Sequence, residues 1–334
     1  MNTRKVIGIG ETVLDIIFRD EQPVQAVPGG SAYNAVISLG KTGVPVSFLG
    51  ETGDDRVGRS VIRYLEENGV DASGVNVFPE SKSPLSLAFL DEHNDADYLF
   101  YKDHPHDRIA FSYPEINPGD VVLFGSFFSI NPVVRQQVQG FLEYAHDHGA
   151  ILYYDVNYRA SHRHEMMKVR PNILENFELA DIVRGSDEDF EVMYGKKDAD
   201  AVYRSEISFY TKKFICTCGG NPVEVRAEGG FAKQYPVIGG ETVSTIGAGD
   251  NFNAGFIYGL MKYGITREVM DAGLTEEQWD NVVGEALQFS ANVCRSINNS
   301  VDAAFAVQKK QELAEAEKAA ANADNEAAVD ATMM

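Results

Sequence analysis

From Asp120 onward, four short apolar runs alternate with stretches of helical spacing. Val121-Val122-Leu123-Phe124 precedes a helical pattern over 132–148, and Ile151-Leu152-Tyr153-Tyr154 precedes one over 171–176. Ile182-Val183 leads into one over 187–194, and Phe214-Ile215-Cys216-Thr217 closes the series. A strand that is apolar on every residue has no face for water and must be covered on both sides. Helices inserted between such strands supply that cover, so the pattern predicts a parallel sheet with helices on both faces. Ligands of these sheets bind beyond the carboxyl ends of the strands.

Three loops at those ends carry polar groups. Asp155-x-Asn157-x-Arg159 follows the second run; a plain turn with an ion pair would use the same residues. Gly185-Ser186-Asp187-Glu188-Asp189 follows the third, and its acids suit a helix N-terminus. Thr217-Cys218-Gly219-Gly220-Asn221-Pro222 follows the fourth, with Cys216 and Cys218 alternating as core residues of a strand.

A different pattern occupies Ser244-Thr245-Ile246-Gly247-Ala248-Gly249-Asp250, followed by Phe252, Phe256, Ile257, Leu260 and Met261 at helical spacing. This reads as a tight loop opening directly into a helix. Its backbone N–H groups, with the positive end of the helix dipole behind them, favour an anion. Gly247 and Gly249 leave no side chain between those amides and the anion. Asp250 is a common kind of N-cap. In an anion hole it has a second use, taking a proton from whatever attacks a bound phosphate.

The chain of 334 residues has 29 Lys and Arg against 50 Asp and Glu, a formal charge of −21. Nucleic acid and anionic membranes are therefore unexpected partners. Three cysteines give no disulfide framework and suit a reducing compartment. The N-terminus lacks the pattern of a signal peptide, and no apolar segment approaches the ~20 residues that span a bilayer. A cytoplasmic enzyme fits these bounds.

Ahead of the alternating region, Gly8-x-Gly10 begins a dinucleotide-type pattern, but Val13 stands where the third glycine belongs. Asp15 lies within an apolar context, on a solvent face or aimed into a site. Pro28-Gly29-Gly30-Ser31-Ala32-Tyr33-Asn34 opens a helix over 35–42, with bare backbone beside the donor and acceptor of Asn34. Residues 84–101 alternate and turn through a polar tip, a β-hairpin. His104/His106, His146/His148 and His162/His164 read as solvated surface rather than a metal site.

Gly29-Gly30 with Asn34, then Gly50-x-x-Gly53-Asp54-Asp55-x-x-Gly58, resembles the N-terminal signature of the ribokinase (PfkB-type) sugar kinases. Thr245-x-Gly247-Ala248-Gly249-Asp250 resembles their C-terminal signature, in the expected order and over roughly residues 4–305. The resemblance implies ATP as phosphoryl donor and magnesium beside it. It gives Asp250 the role of base, with Gly247, Ala248 and Gly249 in the anion hole. Asp15, Gly29, Gly30, Asn34 and Arg159 would bind the sugar, and Asn157, Thr217 and Gly219 the nucleotide. Asp189 and Glu188 would hold magnesium through water, and Asn292 is a candidate contact to the adenine or a packing residue.

Four positions depart from the family pattern. Ser186 and Asp189 stand in the places of Asn and Glu, Pro222 replaces the last glycine of the nucleotide loop, and Ser244 replaces an Asp. With Ile246 beside it, Ser244 weakens any monovalent-cation site, so activity is expected to depend little on potassium.

The expected fold is α/β, a ribokinase-like three-layer α/β/α unit with a central, mainly parallel sheet and a small β-sheet lid. The α/β domain takes 1–13, 28–83 and 104–306, the lid 14–27 and 84–103. Residues 307–334 form a polar tail, helical or disordered, without an apolar period. The likeness is greatest to fructokinases, so the acceptor is read as fructose or a similar neutral hexose. Lys102, Arg108 or Arg159 would have to provide the site for a charged sugar. The alternatives are a kinase of ribose, 2-keto-3-deoxygluconate or a nucleoside, the last favoured by stacked Tyr33 and Tyr101, or a non-catalytic sugar- or nucleotide-binding protein. An exposed lid edge suits a homodimer joined through the lid.

Overall fold

The computed structural model describes residues 4–90, 96–102 and 112–332. His104, His106 and Arg108 lie outside them. Ten strands form the large sheet. From one edge the order is Ala232–Tyr235, Asn221–Arg226, Lys213–Cys218, Ile182–Ser186, Ile151–Asp155, Val121–Gly125, Val6–Ile9, Val46–Gly53 and Val70–Asp71, with Val75–Phe78 also paired to Val46–Gly53. Every pairing from Lys213–Cys218 to the far edge is parallel. The two strands at the other edge are antiparallel.

Successive side chains of a strand point to opposite faces, and both faces are buried. Val6, Val121, Leu123, Ile151, Tyr153, Ile182 and Ile215 pack with the helices Ser31–Lys41, Ala248–Lys262 and Glu276–Val293. Ile7, Ile9, Val122, Phe124, Leu152, Tyr154, Val183 and Phe214 pack with Arg135–Asp147, Met166–Leu179 and Asp187–Tyr194. The three expected layers are present. Gly8 and Gly10 belong to this packing rather than to a phosphate loop: a Cβ on Gly8 would stand 2.4 Å from Val36, and one on Gly10 3.1 Å from Ala32.

Two helices differ from the sequence reading. The helix expected over 132–148 is Arg135–Asp147, and a short helix not foreseen, Ser126–Ile130, precedes it across Asn131-Pro132. The helix placed at 171–176 runs over Met166–Leu179 with Pro171 inside it. Pro171 is its sixth residue, past the first turn whose amides lack an acceptor, so it costs the helix one hydrogen bond without marking its start.

A second sheet has the order Gln22–Gly29, Val13–Arg19, Leu85–Leu90, Ala96–Tyr101. Its outer pairs are antiparallel and its central pair is parallel. Ile17 and Ala88 of this lid pack on Ile246 of the glycine loop.

Residues 303–332 form one helix, Ala303–Thr332, so the division at 306/307 falls inside it. Ala306, Lys309 and Leu313 are buried. Lys309 Nζ donates to Glu285 Oε2 at 2.7 Å. A lysine in the middle of the buried stripe hides its period from a hydropathy reading. Among the described residues no helix is long and apolar enough to cross a membrane.

Candidate active site

The chain leaves Val6–Ile9 towards one edge of the large sheet and later returns to pair Val121–Gly125 on its other side. That reversal opens a crevice beyond the carboxyl ends of the strands. Two cavities lie along it.

The first, of about 400 Å³, lies under the lid. The loop after Val6–Ile9 gives it Glu11, and the lid gives Asp15, Tyr98, Phe100 and Lys102. Gly30, Ser126, Phe127, Asn157, Arg159, His162 and Asp250 complete most of its wall. Ser126 (φ 51°) and Asn157 (φ 36°) hold left-handed backbone just past the ends of adjacent strands. Non-glycine residues seldom adopt that conformation, and it turns their side chains into the crevice.

Asp15 is 6% exposed, and Ser86 Oγ donates to its Oδ1. Burial pushes its pKa up to about 6. Gly29 does not line the cavity; it makes room for this carboxylate, since a Cβ there would stand 2.1 Å from Asp15 Oδ2. Asn34 does not line the cavity either. Its Nδ2 donates to Asp250 Oδ2 at 2.8 Å, so the structure places it behind the carboxylate rather than at the wall.

The second cavity, of about 450 Å³, runs from Asp250 to the other side of the glycine loop. Thr245 to Asp250 form one side, while Asn157, Arg159, Arg184, Asp187, Glu188, Asp189, Thr217 and Gly219 stand around it. Apolar Val192, Val223, Val237, Phe252 and Leu287 line the remainder. Asn157, Arg159, Tyr98 and Asp250 border both cavities.

Gly247 adopts φ 75° and precedes the helix Ala248–Lys262. The loop is pinned by Asn251, whose Nδ2 donates to Gly247 O at 2.8 Å and to Asn299 O at 2.9 Å. The Ala248 amide is engaged in the turn, donating to Thr245 O at 3.1 Å. The first-turn amides of Gly249 and Asp250 have no intrahelical acceptor and are left open towards the cavity. Asp250 reaches a pKa of about 6, raised first by burial and also by Asp155, against the hydrogen bond from Asn34.

Asp155 is buried between three partners. Arg184 Nη1 reaches Oδ1 at 2.9 Å, Asn253 Nδ2 reaches Oδ2 at 2.8 Å and Ser31 Oγ stands 3.4 Å from Oδ2. Arg159 is exposed to solvent within the crevice and faces Tyr98, Asp189 and Asp250, and these neighbours hold its pKa above the ordinary value.

Thr217 and Gly219 stand where the strand Lys213–Cys218 turns into Asn221–Arg226, and Thr217 Oγ1 accepts from Arg184 Nη2 at 2.6 Å. Ser186 and Asp189 form a reciprocal capping box at the start of Asp187–Tyr194. Asn292 is not in the second cavity. It is bound to Asp302, and Leu287 and Ser290 line the wall instead.

The aromatic residues proposed for a flat base are also elsewhere. Tyr33 is fully buried with its hydroxyl on Val61 O, and Tyr101 is 58% exposed on the lid. His162, read as surface, lines the first cavity, stacked on Phe127 with ring centroids 3.8 Å apart.

The pattern of pfkB family carbohydrate kinases matches residues 3–276. The chain belongs to this family. Its members transfer a phosphoryl group to an alcohol acceptor, and so does this pfkB kinase. It is 28% identical over 252 residues to 5-dehydro-2-deoxygluconokinase of Geobacillus kaustophilus (strain HTA426), covering 70% of this chain and 72% of that protein. It is 27% identical over 305 residues to Fructokinase-1 of Oryza sativa subsp. japonica, covering 87% and 90%. Its fold matches fructokinase from Vibrio cholerae O395 in the fructose-, ADP- and calcium-bound form. There the TM-score is 0.79 and the identity 20%, over 89% of this chain and 94% of that one. Aminoimidazole riboside kinase from Salmonella enterica, complexed with aminoimidazole riboside and an ATP analog, gives a TM-score of 0.75. The identity is again 20%, over 93% and 100%. The fold of this pfkB kinase is thus ribokinase-like.

The sequence reading missed Glu11, Ser126, Phe127, His162 and Arg184. The rule that placed Asp155 and Thr217, applied to the end of Val121–Gly125, would have found Ser126 and Phe127. For magnesium, Asp187, Glu188 and Asp189 line one side of the second cavity. Among the described residues no three His, Cys, Asp or Glu side chains converge on a metal position. One or two carboxylates beside a phosphate site, without a closed cage, fit an ion held mostly by phosphate and water.

Proposed function

We propose that this pfkB kinase transfers the γ-phosphate of ATP to a hydroxyl of fructose or a similar neutral hexose, with Asp250 as general base. The observation that carries the reading is the place of Asp250, on the border of the two cavities and within the first turn beside the Gly249 amide. The sugar lies under the lid and the triphosphate along the glycine loop. Asp250 takes the hydroxyl proton as attack proceeds, a contribution of about 10²–10⁴ in rate. The Gly249 and Asp250 amides stabilise charge on the transferring group. Glu188 and Asp189 would hold magnesium through water, and that ion would neutralise phosphate charge when bound.

The charges of the first cavity support a neutral acceptor. Lys102 Nζ lies 3.3 Å from Glu11 Oε2, and Arg159 faces Asp250. Among the described lysines and arginines lining it, Lys102 is paired, and only Arg159, which also borders the second cavity, is left to meet a carboxylate or phosphate. A riboside is the second reading, supported by the Phe127–His162 stack. A non-catalytic binder has no use for a carboxylate held by Asn34 beside empty backbone donors. The reduced cysteines support action in the cytoplasm. Val24, Leu99 and Tyr101, exposed on the lid, support pairing with a second copy there.

The test is ADP release from MgATP with fructose, glucose, ribose, 2-keto-3-deoxygluconate, fructose 6-phosphate and adenosine. Asp250→Asn is measured beside the wild type. Turnover of fructose or glucose that falls about a hundredfold or more in the variant, with sugar binding retained, is the expected result. Equal rates in the two proteins would remove Asp250 from the role of base. Preference for the acid or for adenosine would overturn the neutral-hexose reading.

A further inference from the structure

The strongly acidic chain must bind a triphosphate in a cavity that adds Asp187, Glu188, Asp189 and Asp250 to its own wall. Among the described residues lining that cavity, the only cations are Arg159 and Arg184. Arg184 lies in the strand Ile182–Ser186 and is 6% exposed.

Its guanidinium touches three parts of the site. Nη1 donates to Asp155 Oδ1 at 2.9 Å and Nη2 to Thr217 Oγ1 at 2.6 Å. A Cβ on Gly249 would stand 2.9 Å from Nη2 and 3.1 Å from Nη1, so the fork lies directly against the glycine loop. Nε is buried without a partner. An unsatisfied buried donor is costly, and here the guanidinium tolerates it while keeping both Nη bonds. That is the behaviour of a group placed for charge and direction rather than for packing. A lysine has the charge but not the planar fork that spans Asp155 and Thr217 together.

We propose that Arg184 is a positioning residue for phosphoryl transfer, fixing the Thr217 turn against the Gly249–Asp250 amides and supplying the positive charge beneath them. The proposal rests on reading the second cavity as the nucleotide site.

ADP binding measured by calorimetry, with magnesium and without any sugar, tests it independently of the acceptor. Arg184→Gln is expected to weaken ADP about tenfold or more and to raise the KM for ATP in parallel, while the KM for the sugar stays within about twofold. Arg184→Lys is expected to recover most of the ADP affinity but to leave kcat low, because charge returns without the fork. Thr217→Val keeps the Asp155 pair, so it serves if Arg184→Gln fails to fold. It is expected to weaken ADP by about threefold or more with the sugar KM unchanged.

Variants that bind ADP as the wild type does would overturn the role of Arg184 alone. Nucleotide and sugar affinities falling equally with the melting temperature would reduce it to a structural residue. A wild-type protein that binds no ADP would overturn the nucleotide reading and this role with it.

Discussion

Asn34 Nδ2 donates to Asp250 Oδ2 at 2.8 Å across 216 positions of sequence. The bond favours the charged carboxylate and opposes the burial that lifts its pKa to about 6. Asn34→Ala removes the donor and leaves the burial. The acid limb of the kcat/KM profile is expected near pH 6 in the wild type and higher in the variant, by up to about one unit. A limb that stays in place would mean that Asn34 does not tune the base.

Asp250 also bears on stability. Its carboxyl titrates near 6 in the folded chain against a reference of 3.8, so between those values the folded state binds more protons than the unfolded one. Stability therefore falls as pH rises through that window. Asp250→Asn, inactive by the argument above, is expected to melt higher than the wild type at pH 7 and to lose the advantage near pH 4. Thermal scans at the two pH values decide it, and a lower melting temperature for the variant at pH 7 would contradict the burial argument.

Glu11 keeps Lys102 neutralised at the mouth of the first cavity. Glu11→Gln leaves the ammonium without its counter-charge while changing little in shape. Activity with fructose is expected to fall modestly, whereas the KM for a sugar acid should drop by about threefold to tenfold. Side-by-side kinetics with fructose and 2-keto-3-deoxygluconate report the ratio. No change in it would show that the pair does not set charge preference.

Ser244 is fully buried, its Oγ accepting from the Ile246 amide at 3.1 Å. A neutral hydroxyl committed to the turn is a poor ligand for an alkali cation. Exchanging sodium for potassium is expected to alter kcat by less than about twofold. A rise of about tenfold would show that the loop carries a cation site after all.

The central layer was legible because its strands are apolar on both faces and each is followed by a helical pattern. Gly247, Gly249 and Asp250 read by themselves as a turn into a helix that an ordinary N-cap would also explain, and the second signature at Gly29 to Asn34 is what singled them out. Asn34 was read as a sugar contact, but its side chain is bonded to Asp250, and local spacing carries no information about a contact so distant in the chain. Arg184 was missed because it stands between the apolar pair Ile182-Val183 and the acidic loop and belongs to neither pattern. His162 was grouped with surface histidines, since nothing local reveals that Phe127 folds against it. The buried stripe of the last helix escaped because Lys309 interrupts it, a lysine made acceptable there by Glu285, Gln288 and Glu312.

The bond from Asn251 to the carbonyl of Asn299 has a consequence for biosynthesis. The catalytic loop is set by a residue made after every group proposed for the chemistry. A growing chain can already hold Asp15, Arg184 and Asp250 and still lack the anchor that keeps Gly247 in its left-handed turn. The hydrogen bonding of that loop is therefore complete only once the segment leading into the last helix has docked.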